Sequence, residues 1–277
     1  MPPGAGAGIG RHAAETLASK GYLVLAGVRK QADVDAILAA KVANLVPIQL
    51  DVTDKESIAN AYEIVQKTIT EKNLPFVALI NNAGTLQVNP IELTEDKASR
   101  QIMDVNFFGV LDMSRQFIPL LRKFAGSRLI NISSAKGIVS FAFNGLYCAS
   151  KFALEALSDT MRRELEEFGI AVIVIQPAYI NTKMSGVLLE DTSAITNDPI
   201  GMRYYKAKAL TSLEKGKAAT AVAPEPDDTS RVITEAVTSP KPYTRYMAGI
   251  IDEKKTPAVV LKWMAWLLPD RVLDLLA

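Results

Sequence analysis

Gly4-Ala5-Gly6-Ala7-Gly8-Ile9-Gly10, running into the helical-period stretch Gly10–Lys20 and the apolar run Tyr22–Val28, is the part of this 277-residue chain whose reading decides its fold. Glycines at 4, 8 and 10 set a G-x-x-x-G-x-G spacing, distinct from the commoner G-x-G-x-x-G. A backbone without Cβ atoms can close on a pyrophosphate, and the free amides opening the next helix meet its charge. Glycine turn, helix, apolar strand is the repeating unit of a parallel sheet, and the rest of the chain keeps the alternation.

Further strand candidates are Leu45–Leu50, Phe76–Ile80, Arg128–Ile132, Ile170–Gln176 and Thr244–Gly249. The helix candidates between them are Ala32–Ala40, Lys55–Glu71, Glu95–Phe124 and Leu146–Phe168. Short apolar, β-branched runs joined by single helices predict one domain over residues 1–277. Its class is α/β: a Rossmann-like, doubly wound parallel sheet with helices on both faces. Only Met1, Pro2 and Pro3 precede the glycine turn, so the first strand is expected to be missing at the N-terminus. A start inside a longer protein accounts for this better than a fold lacking the strand, which would leave two neighbouring sheet edges exposed. Thr182–Pro226 loses the alternation and carries Gly186, Pro199, Gly201, Gly216, Pro224 and Pro226, so an irregular substrate lid is expected there. The apolar tail, about 255–277, reads as an amphipathic helix interrupted near Pro269.

Composition narrows the function. Thirty-one Lys and Arg stand against thirty Asp and Glu, with no basic stretch, so nucleic acid is not an expected partner. The single cysteine, Cys148, excludes an intrachain disulfide and a Cys-rich metal site, and fits a reducing, cytoplasmic setting. With His12 the lone histidine, neither a Ser–His–Asp hydrolase nor a multi-histidine metal site is expected. No run reaches the roughly 18 apolar residues of a spanning helix. An enzyme without metal is the reading that remains.

Asn81-Asn82-Ala83-Gly84 directly follows the apolar run Val77–Ile80, a polar strand end of the kind that meets ligands at the carboxyl edge of open α/β sheets. A third signal is Tyr147-x-x-x-Lys151. The same spacing recurs at Tyr179/Lys183 and Tyr204/Lys208, but only Tyr147 opens a long amphipathic stretch, where residues four apart share a helix face. Ser134, thirteen residues before Tyr147, ends the strand run Leu129–Ile132, with Ser133 as its adjacent alternative. Serine, tyrosine and lysine together suit hydride chemistry at a carbonyl. The developing alkoxide needs a proton donor, a lysine ammonium favours tyrosinate over its usual pKa of about 10, and a serine hydroxyl can hold the substrate oxygen.

On these residues the chain resembles the short-chain dehydrogenases/reductases over nearly its whole length. The matching elements are the Gly4/Gly8/Gly10 turn, Asp51-Val52, Asn82-Ala83-Gly84, Asn106, Ser134, Tyr147/Lys151, and Pro177 with Thr182. The resemblance implies Tyr147 as general acid/base, Ser134 orienting the substrate oxygen, and Lys151 holding the nicotinamide ribose. Asn106 would support a proton relay. Around the cofactor it implies Gly4, Gly8, Ile9 and Gly10 at the pyrophosphate, Asp51 and Val52 at the adenine, and Asn82, Ala83 and Gly84 near its ribose. Pro177, Ile180 and Thr182 would meet the nicotinamide carboxamide. The departures are the missing strand and Pro3 in place of threonine, and both bear on cofactor affinity.

Cofactor choice turns on Leu25-Ala26-Gly27-Val28, which ends without an acid and runs into Arg29 and Lys30. A ribose 2′-phosphate would find a cation there, so NADP(H) is expected, with NAD(H) the alternative. Met184, Val187, Leu188, Leu189, Ile195, Met202, Tyr204 and Tyr205 in the lid, and Trp263, Met264 and Trp266 in the tail, suggest a lipophilic alcohol or ketone. Leu267-Leu268-Pro269-Asp270-Arg271 and Arg245-Tyr246 look like the steroid- and retinol-type branch. The rival readings are a 3-oxoacyl-thioester reductase and a non-catalytic relative that keeps the fold. By the same resemblance the helices Glu95–Phe124 and Leu146–Phe168 would build a dimer or tetramer. Peripheral membrane contact by the tail has little support, because Lys262 and Arg271 are balanced by Asp270 and Asp274.

Overall fold

The computed structural model describes residues 1–182 and 193–273. Six parallel strands run as β1 (Val24–Val28), β2 (Leu45–Gln49), β3 (Ala78–Asn81), β4 (Arg128–Ile132), β5 (Ala171–Pro177) and β6 (Arg245–Ala248). β1 pairs with β2, and β3-β4-β5-β6 form a four-stranded ladder. The helices of eight residues or more are α1 (Gly8–Ser19), α2 (Gln31–Ala40), α3 (Lys55–Glu71), α4 (Asp96–Met103), α5 (Gly109–Leu121), α6 (Gly145–Leu165), α7 (Lys206–Ala221), α8 (Pro226–Thr238) and α9 (Val259–Leu267). Among the described residues no helix is long and apolar enough to cross a membrane.

Strand side chains alternate between two apolar layers, which is why the runs are hydrophobic throughout. Val24, Ala26 and Val28 of β1, with Ile130 and Ile132 of β4 and Ile173 and Ile175 of β5, pack under α1 and α8. Leu25, Leu129 and Val172, each adjacent in its strand to one of these, pack under α3, α5 and α6 against Val65, Phe117 and Leu165. A buried polar string registers the helices on the sheet. Asn81 donates to Ser114 of α5 (3.3 Å) and to Asn131 of β4 (2.9 Å), and Asn131 donates to Ser158 of α6 (2.9 Å).

Three expectations are corrected. The place of the first strand is filled by Met1-Pro2-Pro3, which lies between β1 and β3. The Gly27 amide donates to Pro2 O (2.9 Å), the Ile80 amide to Met1 O (2.9 Å), and Pro3 bridges Gly27 in parallel register. The Met1 amine is buried and donates to Ala78 O (2.8 Å), and burial pushes its pKa down to about 5. Two bare edges therefore do not arise.

The second correction concerns the expected irregular lid. From residue 193 it carries a short helix, Ser193–Thr196, a wide turn at Gly201–Tyr205, and the 16-residue α7. Lys-Ala-Lys-Ala-Leu opens α7, and such helix formers outweigh the single Gly216. Pro226, read as a breaker, is the first residue of α8, where its missing N–H costs nothing. The lid residues Met184, Val187, Leu188 and Leu189, and Lys183 of the second tyrosine–lysine pair, lie outside the described residues. Third, Glu95–Phe124 is two helices, joined by a widened π turn over Asp104–Phe108.

Candidate active site

The glycine turn folds against the end of β3. Asn82 Nδ2 donates to Gly4 O (3.0 Å) and Pro3 O (3.4 Å). Gly4 holds φ +79°, and a Cβ there would stand 2.8 Å from the Ala83 Cα, so turn and strand end can touch only through glycine. A side chain at Gly10 would strike Asn82 Nδ2. At Gly8 a Cβ would meet the Thr182 side chain at 3.6 Å, which brings the turn beside the segment after β5. α1 opens at Ala7 with no side-chain cap, leaving first-turn amides free for an anion. An uncapped helix start behind a Cβ-free cradle fits the pyrophosphate of a dinucleotide.

Beyond β1, Arg29 and Lys30 are exposed and have no ion pair among the described residues. Asp33, in the first turn of α2, was not foreseen. Its carboxylate lies against the glycine turn, with Oδ2 2.7 Å from where a Gly6 Cβ would stand. Nothing in the linear pattern marks Asp33, because only the return of α2 along the sheet brings it there. Asp51 accepts from the Thr53 amide and hydroxyl (2.9 and 2.7 Å), and Val52 is buried in the layer under α3 and α5.

The second half of the sheet gathers the reactive side chains. Ser134 leaves β4 and accepts from the Lys136 amide (3.1 Å), while its hydroxyl donates to Pro177 O (3.3 Å). Tyr147 and Lys151 lie one turn apart on α6, both buried, with Lys151 Nζ 5.6 Å from the Tyr147 ring centre. Ser134 stands beside the Tyr147 phenol and acts to lower its pKa. Ser133, the adjacent alternative, instead turns its hydroxyl toward Gly137, where a Cβ would stand 2.8 Å away.

Asn106 sits inside the π turn and is fully buried. It donates to Thr85 O (2.8 Å) and Ser150 Oγ (3.0 Å) and accepts from the Thr85 amide (2.8 Å). A Cβ at Gly84 would lie 3.5 Å from Asn106 Oδ1 and 3.9 Å from Lys151 Nζ, so these three share one corner. Pro177 ends β5, and Ile180 is buried just beyond it.

Electrostatics here depart from the sequence expectation. Burial outweighs the influence of Ser134 and pushes Tyr147 up to about 12, so the phenol holds its proton at neutral pH. Burial also brings Lys151 down to about 8, partly opposed by Glu155 one turn on. The Lys151 ammonium donates to Ile132 O (2.9 Å) rather than reaching toward the phenol. Depressing the tyrosine is thus not a property of the side chains at rest. As found, the site is a proton donor beside a serine that can hold an oxygen.

A second lysine and an asparagine were also unforeseen. Lys136 Nζ donates to Asn144 Oδ1 (2.8 Å) and lies 6.0 Å from the Tyr147 ring centre. The walls around this end are apolar. Ala135, Val139 and Leu261 of α9 form one cluster, and Phe143, Ile195 and Ala209 of α7 another. Among the described residues no group of His, Cys, Asp and Glu could hold a metal ion.

Residues 3–193 match the family model described as short chain dehydrogenase. Human retinol dehydrogenase 16 is 38% identical over 183 residues, 66% of this chain and 56% of that protein's length. The mitochondrial D-beta-hydroxybutyrate dehydrogenase of Mus musculus is 30% identical over 264 residues, 88% of this chain and 74% of the relative. Among solved structures, a short-chain dehydrogenase from Streptomyces avermitilis superposes with a TM-score of 0.75 at 26% identity, over 99% of this chain and 94% of that one.

Proposed function

The chain belongs to the short-chain dehydrogenase family of oxidoreductases, and on that premise we propose that it moves a hydride between NADP(H) and a lipophilic alcohol or its carbonyl. The observation that carries this reading is the assembly of Ser134, Tyr147 and Lys151 between the glycine turn and two apolar clusters. The dinucleotide, when bound, takes up or delivers the hydride. Everything else falls to side chains of this chain.

Gly4, Gly8, Ile9 and Gly10 would hold the pyrophosphate at the start of α1, with Asn82, Ala83 and Gly84 closing the cradle. Asp51 and Val52 would meet the adenine, and Pro177, Ile180 and Thr182 the nicotinamide. Ser134 holds the substrate oxygen, and Tyr147 donates its phenolic proton to that oxygen as the carbonyl is reduced. In the oxidative direction the phenolate takes the alcohol proton, and Lys151 supplies the positive charge that makes the phenolate affordable. Asn106 bridges Thr85 to Ser150, whose hydroxyl in turn donates to Tyr147 O (2.7 Å), and so fixes the turn of α6 that carries the tyrosine.

Support for a lipophilic substrate comes from the lid and tail. α7 and α9 bring Ala209 into one cluster with Phe143 and Leu261 into one with Ala135, the residues that neighbour Tyr147 and Ser134 in the chain, and the retinol dehydrogenase relative acts, by its name, on such an alcohol. Exposed Phe108 in the π turn and Phe152 on α6 support pairing with a second copy across these elements.

Asp33 favours a second reading, NAD(H). A carboxylate against the glycine turn suits a ribose hydroxyl and repels a 2′-phosphate, whereas Arg29 does the opposite. Titration of the chain with NADPH and NADH, followed by nicotinamide fluorescence, separates the two. If Arg29 decides, Arg29→Ala weakens NADPH by about tenfold with little change for NADH. Should Asp33→Asn instead weaken NADH, with Arg29→Ala silent on NADPH, the cofactor is NAD(H).

A further inference from the structure

Lys136 has no part in the chemistry above, yet its position is a built one. It lies in the short turn that Ser134 caps, and its ammonium reaches forward to Asn144, the residue just before α6 and three places before Tyr147. The nitrogen lies 5.8 Å from the ring centre of Phe141 and 6.0 Å from that of Tyr147, so two aromatic rings flank it. Asn144 is itself buried and spends its amide on Ala142 O (3.0 Å), which aims its carbonyl oxygen at the lysine.

An ammonium has three donors, and among the described residues only Asn144 accepts from this one and no carboxylate pairs with it. Burial draws its pKa below the ordinary lysine value, partly opposed by the Cys148 side chain. A half-buried cation with no carboxylate paired to it among the described residues is costly to keep. A surface lysine making an incidental contact would turn its head to water instead.

We infer that Lys136 and Asn144 form an anion subsite beside Ser134 and Tyr147, and that the substrate is an oxo or hydroxy acid. Its carboxylate would stand a few bonds from the reacting carbon, with an apolar chain on the clusters of α7 and α9. This rests on Ser134 and Tyr147 marking the reacting carbon, and it deepens the lipophilic reading by giving the substrate a charged end. Asn144 acts as a positioning residue, holding the ammonium on the substrate side of the tyrosine.

The test uses the full chain saturated with whichever oxidised dinucleotide it binds. Binding of 3-hydroxyhexanoate and of its methyl ester is measured by calorimetry, and oxidation of both, together with a panel of neutral long-chain alcohols, is followed separately. Wild type is expected to bind the acid about tenfold or more tightly than the ester. Lys136→Gln, which still reaches Asn144, brings that ratio to about one, and Lys136→Arg keeps it. A wild-type chain with no preference for the acid overturns the subsite whether or not the variants fold. So does a Lys136→Gln protein that keeps the preference, or one whose binding of acid and ester falls equally. Preferential acid binding with no oxidation of any substrate would leave the subsite standing and sink the dehydrogenase reading. Oxidation of neutral alcohols without acid preference would do the reverse.

Discussion

The two parts of the sheet are held together by different means. β3–β6 form an unbroken ladder whose polar string, Asn81–Asn131–Ser158, pins α5 and α6, and every group proposed to handle a proton stands on this part. β1 and β2, which carry Arg29 and the approach to Asp33, join that ladder through the main chain of Met1–Pro3 and the apolar layer under α1 and α8. The proposed chemistry therefore sits on the continuous part and the proposed nucleotide site across the seam. Disturbing the seam should cost stability and binding, while disturbing α6 should cost turnover.

The largest effect expected at the seam comes from Gly10→Ala. The new methyl meets Asn82 Nδ2 and Gly4 O, an overpacking that typically costs about 1–3 kcal/mol. Nucleotide affinity should fall about tenfold or more, with turnover at saturating nucleotide held within a few-fold. An equal loss in turnover would break the division between the two parts. Smallest is the Arg29/Asp33 pair of variants, which sharpens the comparison by asking which charge at the far side of the seam meets the ribose.

Much of this was legible in the chain. β4 and α3 fall on the expected residues: Arg128–Ile132 is a clean apolar run, and Asp54 caps α3 through the Glu56 amide (2.9 Å). Ser134, Tyr147 and Lys151 could be picked out because strand end and helix face are local patterns. Asp33 and Lys136 could not, since their neighbours Gly6 and Tyr147 are set by how elements pack rather than by spacing. The π turn was hidden because Asp104–Phe108 keeps a helical period while widening by one residue, and that widening coincides with Asn106 turned inward. α7 escaped notice because its small and charged residues leave no apolar stripe to read.

Burial sets Tyr147 as a proton donor at neutral pH, and this is the central claim about the site. Tyr147→Phe tests it most directly, with dinucleotide binding and single-turnover reduction of the carbonyl panel measured on the same preparation. The expected result is nucleotide binding within about twofold of wild type and hydride transfer slower by about 10²–10⁴-fold. A phenylalanine variant that transfers hydride at the wild-type rate would contradict the account.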